Sequence, residues 1–276
     1  MDALRESQLG KASRYSEQHD PGLLFPIARS EGRAALGSDA AAQFVGCDIW
    51  HAWELSWLNG RGQPQVAVAR FTIDCHTPRL IESKSFKLYL NSLAHTRIGD
   101  RKELATLLRR ELERAAGGEV TVELFDVDDP RLDPAPLSGT SLDSLQLDFQ
   151  SADYGPPRPA LLQSDPAAAT TETLTTRVFR SNCPVTGQPD WASVQLAYDG
   201  PRIEHDGLLR YLVSYRKHSG FHEQCVERIF TEVRQMCRPR QLHVRACFTR
   251  RGGLDINPWR STAQARPATA VRDRRQ

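Results

Sequence analysis

The chain has 276 residues, 39% of them hydrophobic, and its 36 basic and 34 acidic residues leave a formal charge of +2. That length supplies a core for one large domain or two modest ones, and the near balance of charge excludes the broad positive field on which non-specific nucleic-acid binders rely. No stretch reaches the roughly 20 apolar residues of a membrane span, the acid-bearing start Met1-Asp2-Ala3-Leu4-Arg5-Glu6 does not read as a signal peptide, and six cysteines without a CxxC pair fit a reduced, cytoplasmic protein.

Residues 1–40 are polar and rich in Ala and Gly, and read as an extended arm. From Ile49 the text changes. Trp50, Trp53, Leu55 and Trp57 lead to an Asn59-Gly60-Arg61-Gly62 turn followed by Val66, Val68, Phe71 and Ile73, which predicts a β-hairpin. Two helices follow, Ser83 to about Leu93 and Asp100 to about Ala116, the second with Asp100 as N-cap and an apolar stripe of Leu104, Leu107, Leu108 and Leu112. Gly117-Gly118 closes that helix, and Val120, Val122 and Leu124 alternate as a strand. Residues 129–170 hold Pro130, Pro134, Pro136, Pro156, Pro157, Pro159 and Pro166, so they form an extended or irregular linker, with one short strand expected around Leu145–Phe149.

The same order then recurs. Val178–Asn182 and Trp191–Tyr198 form a second hairpin, Leu208–Lys217 and Phe221–Cys237 two helices, and Leu242–Phe248 a strand. At an offset of 122 residues, Ile81-Glu82 falls on Ile203-Glu204, Tyr89-Leu90 on Tyr211-Leu212, Ser92 on Ser214 and Val122 on Val244, which reads as a tandem duplication. The expected organisation is an N-terminal arm (1–40), a first module (41–128), a linker (129–170), a second module (171–262) and a charged, solvated tail (263–276). In this alignment Gly60 stands where the second copy has Cys183.

Where the copies keep their apolar residues and diverge in their polar ones, chemistry has room to differ. Ser181-Asn182-Cys183-Pro184-Val185-Thr186-Gly187-Gln188-Pro189-Asp190-Trp191 places a thiol and a carboxylate on one stiff turn, a nucleophile beside a proton acceptor, with a buried structural cysteine as the plainer alternative. Glu82-Ser83-Lys84-Ser85-Phe86-Lys87 opens a helix with a hydroxyl, an ammonium and backbone N–H groups, a set suited to phosphate. His218, His222 and Cys225 are spaced for one helical face and a zinc ion, but Gly220 and the helix start fall between the histidines; His222-Glu223 reads better as a general acid beside a recognition carboxylate. Arg250-Arg251-Gly252-Gly253 offers arginine forks beside glycines, also a phosphate chemistry, and the chain has no GxGxxG after a strand.

These four motifs, with Leu254-Asp255-Ile256-Asn257-Pro258 after the last, closely resemble the long form of the QueF nitrile reductases, the NADPH-dependent 7-cyano-7-deazaguanine reductases of queuosine biosynthesis. The resemblance runs from about residue 45 to the C-terminus. It implies an α+β fold of two tandem tunnelling-fold (ββαα) modules, antiparallel sheets with helices on one face, and a homodimer or larger homo-oligomer. It implies Cys183 as the nucleophile that forms a covalent thioimide, Asp190 as its acid/base and His222 as a further catalytic group. Ile81, Glu82 and Ser83, with His222 and Glu223, match substrate-binding positions, and Ser83, Lys84, Arg251 and Gly252 match those for NADPH, used twice per turnover with no metal. A deazapurine is the expected small-molecule partner, with no direct nucleic-acid or membrane contact. The competing expectations are a zinc-dependent, pterin-forming hydrolase of the GTP cyclohydrolase type and a non-catalytic purine-binding module.

Overall fold

A computed structural model describes residues 16–37, 40–263 and 272–276. The chain divides into two compact units, Met1–Ala35 with Cys47–Asp133 and Arg250–Ile256, and Leu36–Gly46 with Pro134–Thr249 and Asn257–Gln276.

In the first unit β2 (Val45–Leu58) and β3 (Pro64–Asp74) form the expected hairpin, and β5 (Val120–Phe125) pairs with the far side of β3. The turn is built by Asn59, whose side-chain oxygen accepts from the N–H groups of Arg61 and Gln63 at 2.9 and 3.1 Å. Helix α2 (Ser83–Ser92) and helix α3 (Arg101–Ala116) cover one face: Phe86, Tyr89, Leu104, Leu108 and Leu112 pack with Trp50 and Phe71 in one buried cluster. Asp100 caps α3 by accepting from Glu103 N–H at 2.8 Å, as its position predicts. Gly117 ends the helix at φ 80°, and a Cβ there would lie 2.7 Å from Pro78 Cγ, so both backbone and space demand glycine.

The described part of the N-terminal segment is not an extended arm. Strand β1 (Pro26–Ala28) pairs antiparallel with β4 (Arg79–Ile81), Ile27 is buried, and a short helix α1 (Arg29–Arg33) follows. Arg29 is buried too, its Nη2 2.6 Å from Asp48 Oδ2. An apolar side chain and an ion pair hidden in a polar stretch explain why composition alone misread it.

In the second unit the strand order is β10-β9-β8-β7-β6, with β10 (Leu254–Ser261, of which Asn257–Ser261 belong to this unit), β9 (Gln241–Phe248), β8 (Pro189–Ile203) and β7 (Ser164–Asn182) antiparallel and the two-residue β6 (Thr140–Ser141) parallel to β7. Helix α4 (His205–Val213) and helix α5 (His222–Cys237) complete the module, α4 starting three residues before its apolar run. Three expectations need correction here. Strand β7 starts inside the proposed linker, at Ser164. The linker strand lies at Thr140–Ser141 rather than Leu145–Phe149, and the linker is pinned by buried Leu132 and Leu142, each within a short 3-10 turn, and by Leu162 directly after another. The last five residues are not a solvated tail: Asp273 accepts from Ser193 Oγ at 2.7 Å, and Gln276 Nε2 donates to Asn257 Oδ1 at 2.6 Å and Phe248 O at 2.8 Å. Residues 264–271 of that segment, and 1–15 of the arm, lie outside the described residues.

The duplication extends to hydrogen bonds. Tyr89 O–H donates to Glu111 at 2.7 Å, and Tyr211 O–H donates to Glu232 at 2.5 Å. Ser92 Oγ donates to Tyr89 O and Ser214 Oγ to Tyr211 O, both at 2.6 Å. Burial pushes both tyrosines upward from their ordinary value, so each remains a donor to its glutamate.

Candidate active site

In the second unit, β7 ends at Asn182 and β8 begins at Pro189, and the six residues between carry Cys183. Cys183 N–H donates to Gln188 O at 2.8 Å and its carbonyl accepts from Gly187 N–H at 3.1 Å, closing the loop on itself. Gly187 has φ 67°, which a larger residue resists. Asn182 ties the loop down: its N–H donates to His218 O at 2.8 Å and its carbonyl accepts from Gly220 N–H at 3.1 Å, while its side chain donates to Arg216 O and accepts from Arg180 Nη2, each at 3.1 Å. Arg180 and Arg216 both stack toward Trp191, with guanidinium carbons 5.3 and 5.4 Å from a ring centroid. The thiol therefore sits on backbone fixed from both sides.

Asp190 lies opposite Ser181 in the β7–β8 register, next to the loop exit. His222 and Glu223 are the first two residues of α5, and the imidazole Nε2 comes within 3.5 Å of Asp190 Oδ1. The imidazole meets the Phe248 ring edge to face, centroids 4.1 Å apart. Cys183, Asp190, His222 and Glu223 are 6%, 4%, 9% and 3% exposed, so this unit gathers a thiol, two carboxylates and an imidazole in surroundings with little water.

Cys225, one turn along α5, is fully buried, and burial pushes its thiol up to about 12, with the charges of Asp190 and Glu223 adding to the rise. Burial and the Arg228 charge push His218 down to about 4. The grouping of His218, His222 and Cys225 as a metal site does not form. Among the described residues, the group of three such ligand atoms within 4.8 Å is Asp74, Cys75 and His76, at the turn after β3 where Asp74 Oδ1 accepts from His76 N–H at 2.7 Å.

In the first unit, Glu82 is the N-cap of α2, and its two carboxylate oxygens accept from Lys84 N–H at 2.7 Å and Ser85 N–H at 2.8 Å. The helix-start amides expected to face a phosphate are thus already held by Glu82. Desolvation raises the Glu82 carboxyl above its ordinary value; the bonds from Lys84 and Ser85, the Lys87 charge and the Ser83 hydroxyl oppose the rise. Strand β1 reaches this corner directly: Glu82 N–H donates to Phe25 O at 2.9 Å, Phe25 N–H donates to Ser85 Oγ at 3.0 Å, and Pro26 pairs with Ile81.

Also in the first unit, Arg251 and Leu254 close a two-residue turn with bonds of 2.9 and 3.3 Å, and Gly252 and Gly253 between them have φ 58° and 78°. Two positive φ values at the centre of such a turn select glycine. A Cβ on Gly252 would stand 3.0 Å from Lys87 Cδ, so the turn packs against the α2 lysine one helical turn beyond Lys84. Cationic side chains around a bare backbone fit the phosphates of a dinucleotide.

Residues 15–124 match the family model described as nitrile reductase, 7-cyano-7-deazaguanine-reductase N-term, and residues 189–267 match that of the QueF-like protein. A protein of Stenotrophomonas maltophilia (strain K279a) named NADPH-dependent 7-cyano-7-deazaguanine reductase is 55% identical over 278 residues, covering 100% of both chains. One of Acidovorax ebreus (strain TPSY) with the same name is 50% identical over 283 residues, again covering 100% of both. The chain belongs to the NADPH-dependent 7-cyano-7-deazaguanine reductase family. As a member it is an NADPH-dependent oxidoreductase, and the zinc hydrolase alternative is not favoured.

Sequence reasoning placed the thiol in one module only, and the structure agrees while moving its counterpart by one residue. Leu58 pairs with Pro64 and Asn182 with Pro189, and Asn59 N–H donates to Gln63 O as Cys183 N–H does to Gln188 O, so Asn59 rather than Gly60 stands at the place of Cys183. What sequence reasoning missed in this reductase is the support around its motifs: Phe25 against Glu82, Arg216 beneath Asn182, and Phe248 against His222. Arg216 and Phe248 were on expected elements, near the ends of a helix and a strand, whereas Phe25 was not.

Proposed function

We propose that the chain reduces the nitrile of 7-cyano-7-deazaguanine to the primary amine of 7-aminomethyl-7-deazaguanine, for queuosine modification of transfer RNA, through a thioimide on Cys183. The observation that carries this is the buried Cys183 on a fixed hairpin loop beside Asp190, itself in contact with His222. A nitrile is a poor hydride acceptor; adding the Cys183 thiol across it forms an S–C bond and a C=N unit that accepts hydride more readily. The proton leaving sulfur passes to Asp190 and from there to the nitrile nitrogen. NADPH supplies two hydrides per nitrile. After the first, the C–S bond breaks, Cys183 leaves as thiolate and the carbon keeps an imine; after the second, the nitrogen takes its last proton from the Asp190–His222 pair, and two protons from solvent restore that pair and the Cys183 thiol. In the second unit Glu223, with His222, supplies lone pairs for N–H donors of the deazaguanine edge; Ile81, Glu82 and Ser83 are the substrate-binding residues of the first unit, where Glu82 offers the same carboxylate chemistry.

Ser83, Lys84, Arg251 and Gly252 hold NADPH, and the reaction uses no metal because the thiol performs the activation that a Lewis acid would otherwise supply. The working form is a cytoplasmic homodimer or higher homo-oligomer, for which native mass spectrometry is the direct check, with no nucleic-acid contact. The test of the reaction is stoichiometry. The purified chain consumes about two NADPH per nitrile, because a four-electron reduction needs two hydrides, and the product is the amine; one NADPH per nitrile, or ligand binding without oxidation of NADPH, overturns it.

A further inference from the structure

Trp53 contacts the Arg250–Asp255 turn in three ways, all within the first unit. Its backbone N–H donates to Gly253 O at 2.9 Å. Its indole Nε1–H donates to Asp255 Oδ2 at 2.5 Å, and the Arg250 guanidinium carbon lies 4.1 Å from its ring centroid. The backbone contact has a cause: the β2–β3 register shifts between Ala52 and Leu55, and such a bulge turns a strand N–H out of its ladder. Asp255 is held from its other oxygen as well. His51 Nε2 accepts from Arg70 Nε at 3.2 Å, so the ring proton sits on Nδ1 and is donated to Asp255 Oδ1 at 2.8 Å.

Trp53, His51 and Asp255 are buried, whereas Arg251 and Gly252, four and three residues before Asp255, stand at the turn itself. A glycine pair with positive φ has little conformational preference of its own, so its geometry depends on what grips its flanks. We propose that Trp53 is a positioning residue for the phosphorylated nicotinamide dinucleotide: through Arg250, Gly253 and Asp255 it fixes the turn that carries Arg251 and Gly252. The inference rests on the assignment of that turn to NADPH.

Three variants and three readouts test it. Trp53→Phe keeps an aromatic face under Arg250 and removes the indole N–H, and Asp255→Asn keeps the shape of the acceptor while placing a donor in the carboxyl plane. Each is expected to raise the KM for NADPH about tenfold, the scale of a lost hydrogen bond to a carboxylate, with the KM for the nitrile unchanged and the covalent adduct formed without NADPH at the parent rate. Arg251→Ala serves as the reference. If Arg251→Ala raises the NADPH KM and the other two do not, the role of Trp53 is overturned and the cofactor assignment stands. If none of the three raises it, the cofactor assignment itself fails. Loss of adduct formation in both Trp53→Phe and Asp255→Asn identifies a purely structural role and overturns the inference.

Discussion

The Cys183 thiol and the Asp190 carboxylate stand on opposite sides of one hairpin closure, and each has its own anchor. Asp190→Asn keeps the shape and removes the proton acceptor, so turnover is expected to fall by about 10²- to 10⁴-fold, the range for loss of general acid–base help, with NADPH binding retained. Parent turnover in that variant contradicts the role. Burial pushes the Cys225 and Cys237 thiols up to about 12 and about 11, so native protein treated with iodoacetamide at pH 8 leaves both unlabelled, and rapid labelling of either contradicts this. Glu82 makes a pH prediction. An acid whose folded value lies above its unfolded value of about 4.5 contributes stability in full below 4.5 and loses it as pH rises through the folded value. Glu82→Gln cannot ionise, so it should gain thermal stability relative to the parent across that rise; a difference that stays flat from pH 4 to 7 is the contrary result. As candidates, Cys183 stood out in the sequence as a thiol on a Pro- and Gly-rich turn and Glu82 as the first residue of a polar motif that opens a helix. Their supports did not: Phe25 and Arg216 act through backbone groups, which carry no sequence signal.

At the scale of elements, periodicity located the helices and the module strands well, because α3 and α5 each bury a regular stripe and end in left-handed caps at Gly117 and Arg238. It failed where pairing decides. Strand β7 reads as polar over much of its length, with Thr and Ala at many positions, and is a strand because β8 pairs with it from Ser164–Ile203 to Asn182–Pro189. Strand β1 is likewise made by its partner, and its prediction belongs here. Arg29→Ala removes one member of a buried ion pair and leaves Asp48 without it, which costs about 3–5 kcal/mol. Because β1 also bonds to Glu82, that variant should raise the KM for the nitrile more than the KM for NADPH. Denaturant unfolding and steady-state kinetics together check both, and a variant that matches the parent in stability contradicts the anchoring role of the Arg29–Asp48 pair.

At the scale of the whole molecule, the two modules repeat one plan down to the Tyr89–Glu111 and Tyr211–Glu232 pairs, and differ in which chemistry they carry. The first holds the Glu82 cap and the arginine turn; the second holds the thiol, Asp190 and His222. That division was readable from the offset alignment, whereas the docking of Asp273 and Gln276 was not, because a charged C-terminal stretch looks the same in sequence whether solvated or bound. The central claim is that Cys183 bonds covalently to the nitrile carbon before any hydride is transferred. The most direct measurement is the intact mass of the chain after incubation with 7-cyano-7-deazaguanine in the absence of NADPH, followed by peptide mapping. The account predicts a gain equal to the whole mass of the nitrile, located on the Cys183 peptide, absent in Cys183→Ala and lost on adding NADPH; no gain in the parent, or the same gain in Cys183→Ala, contradicts it.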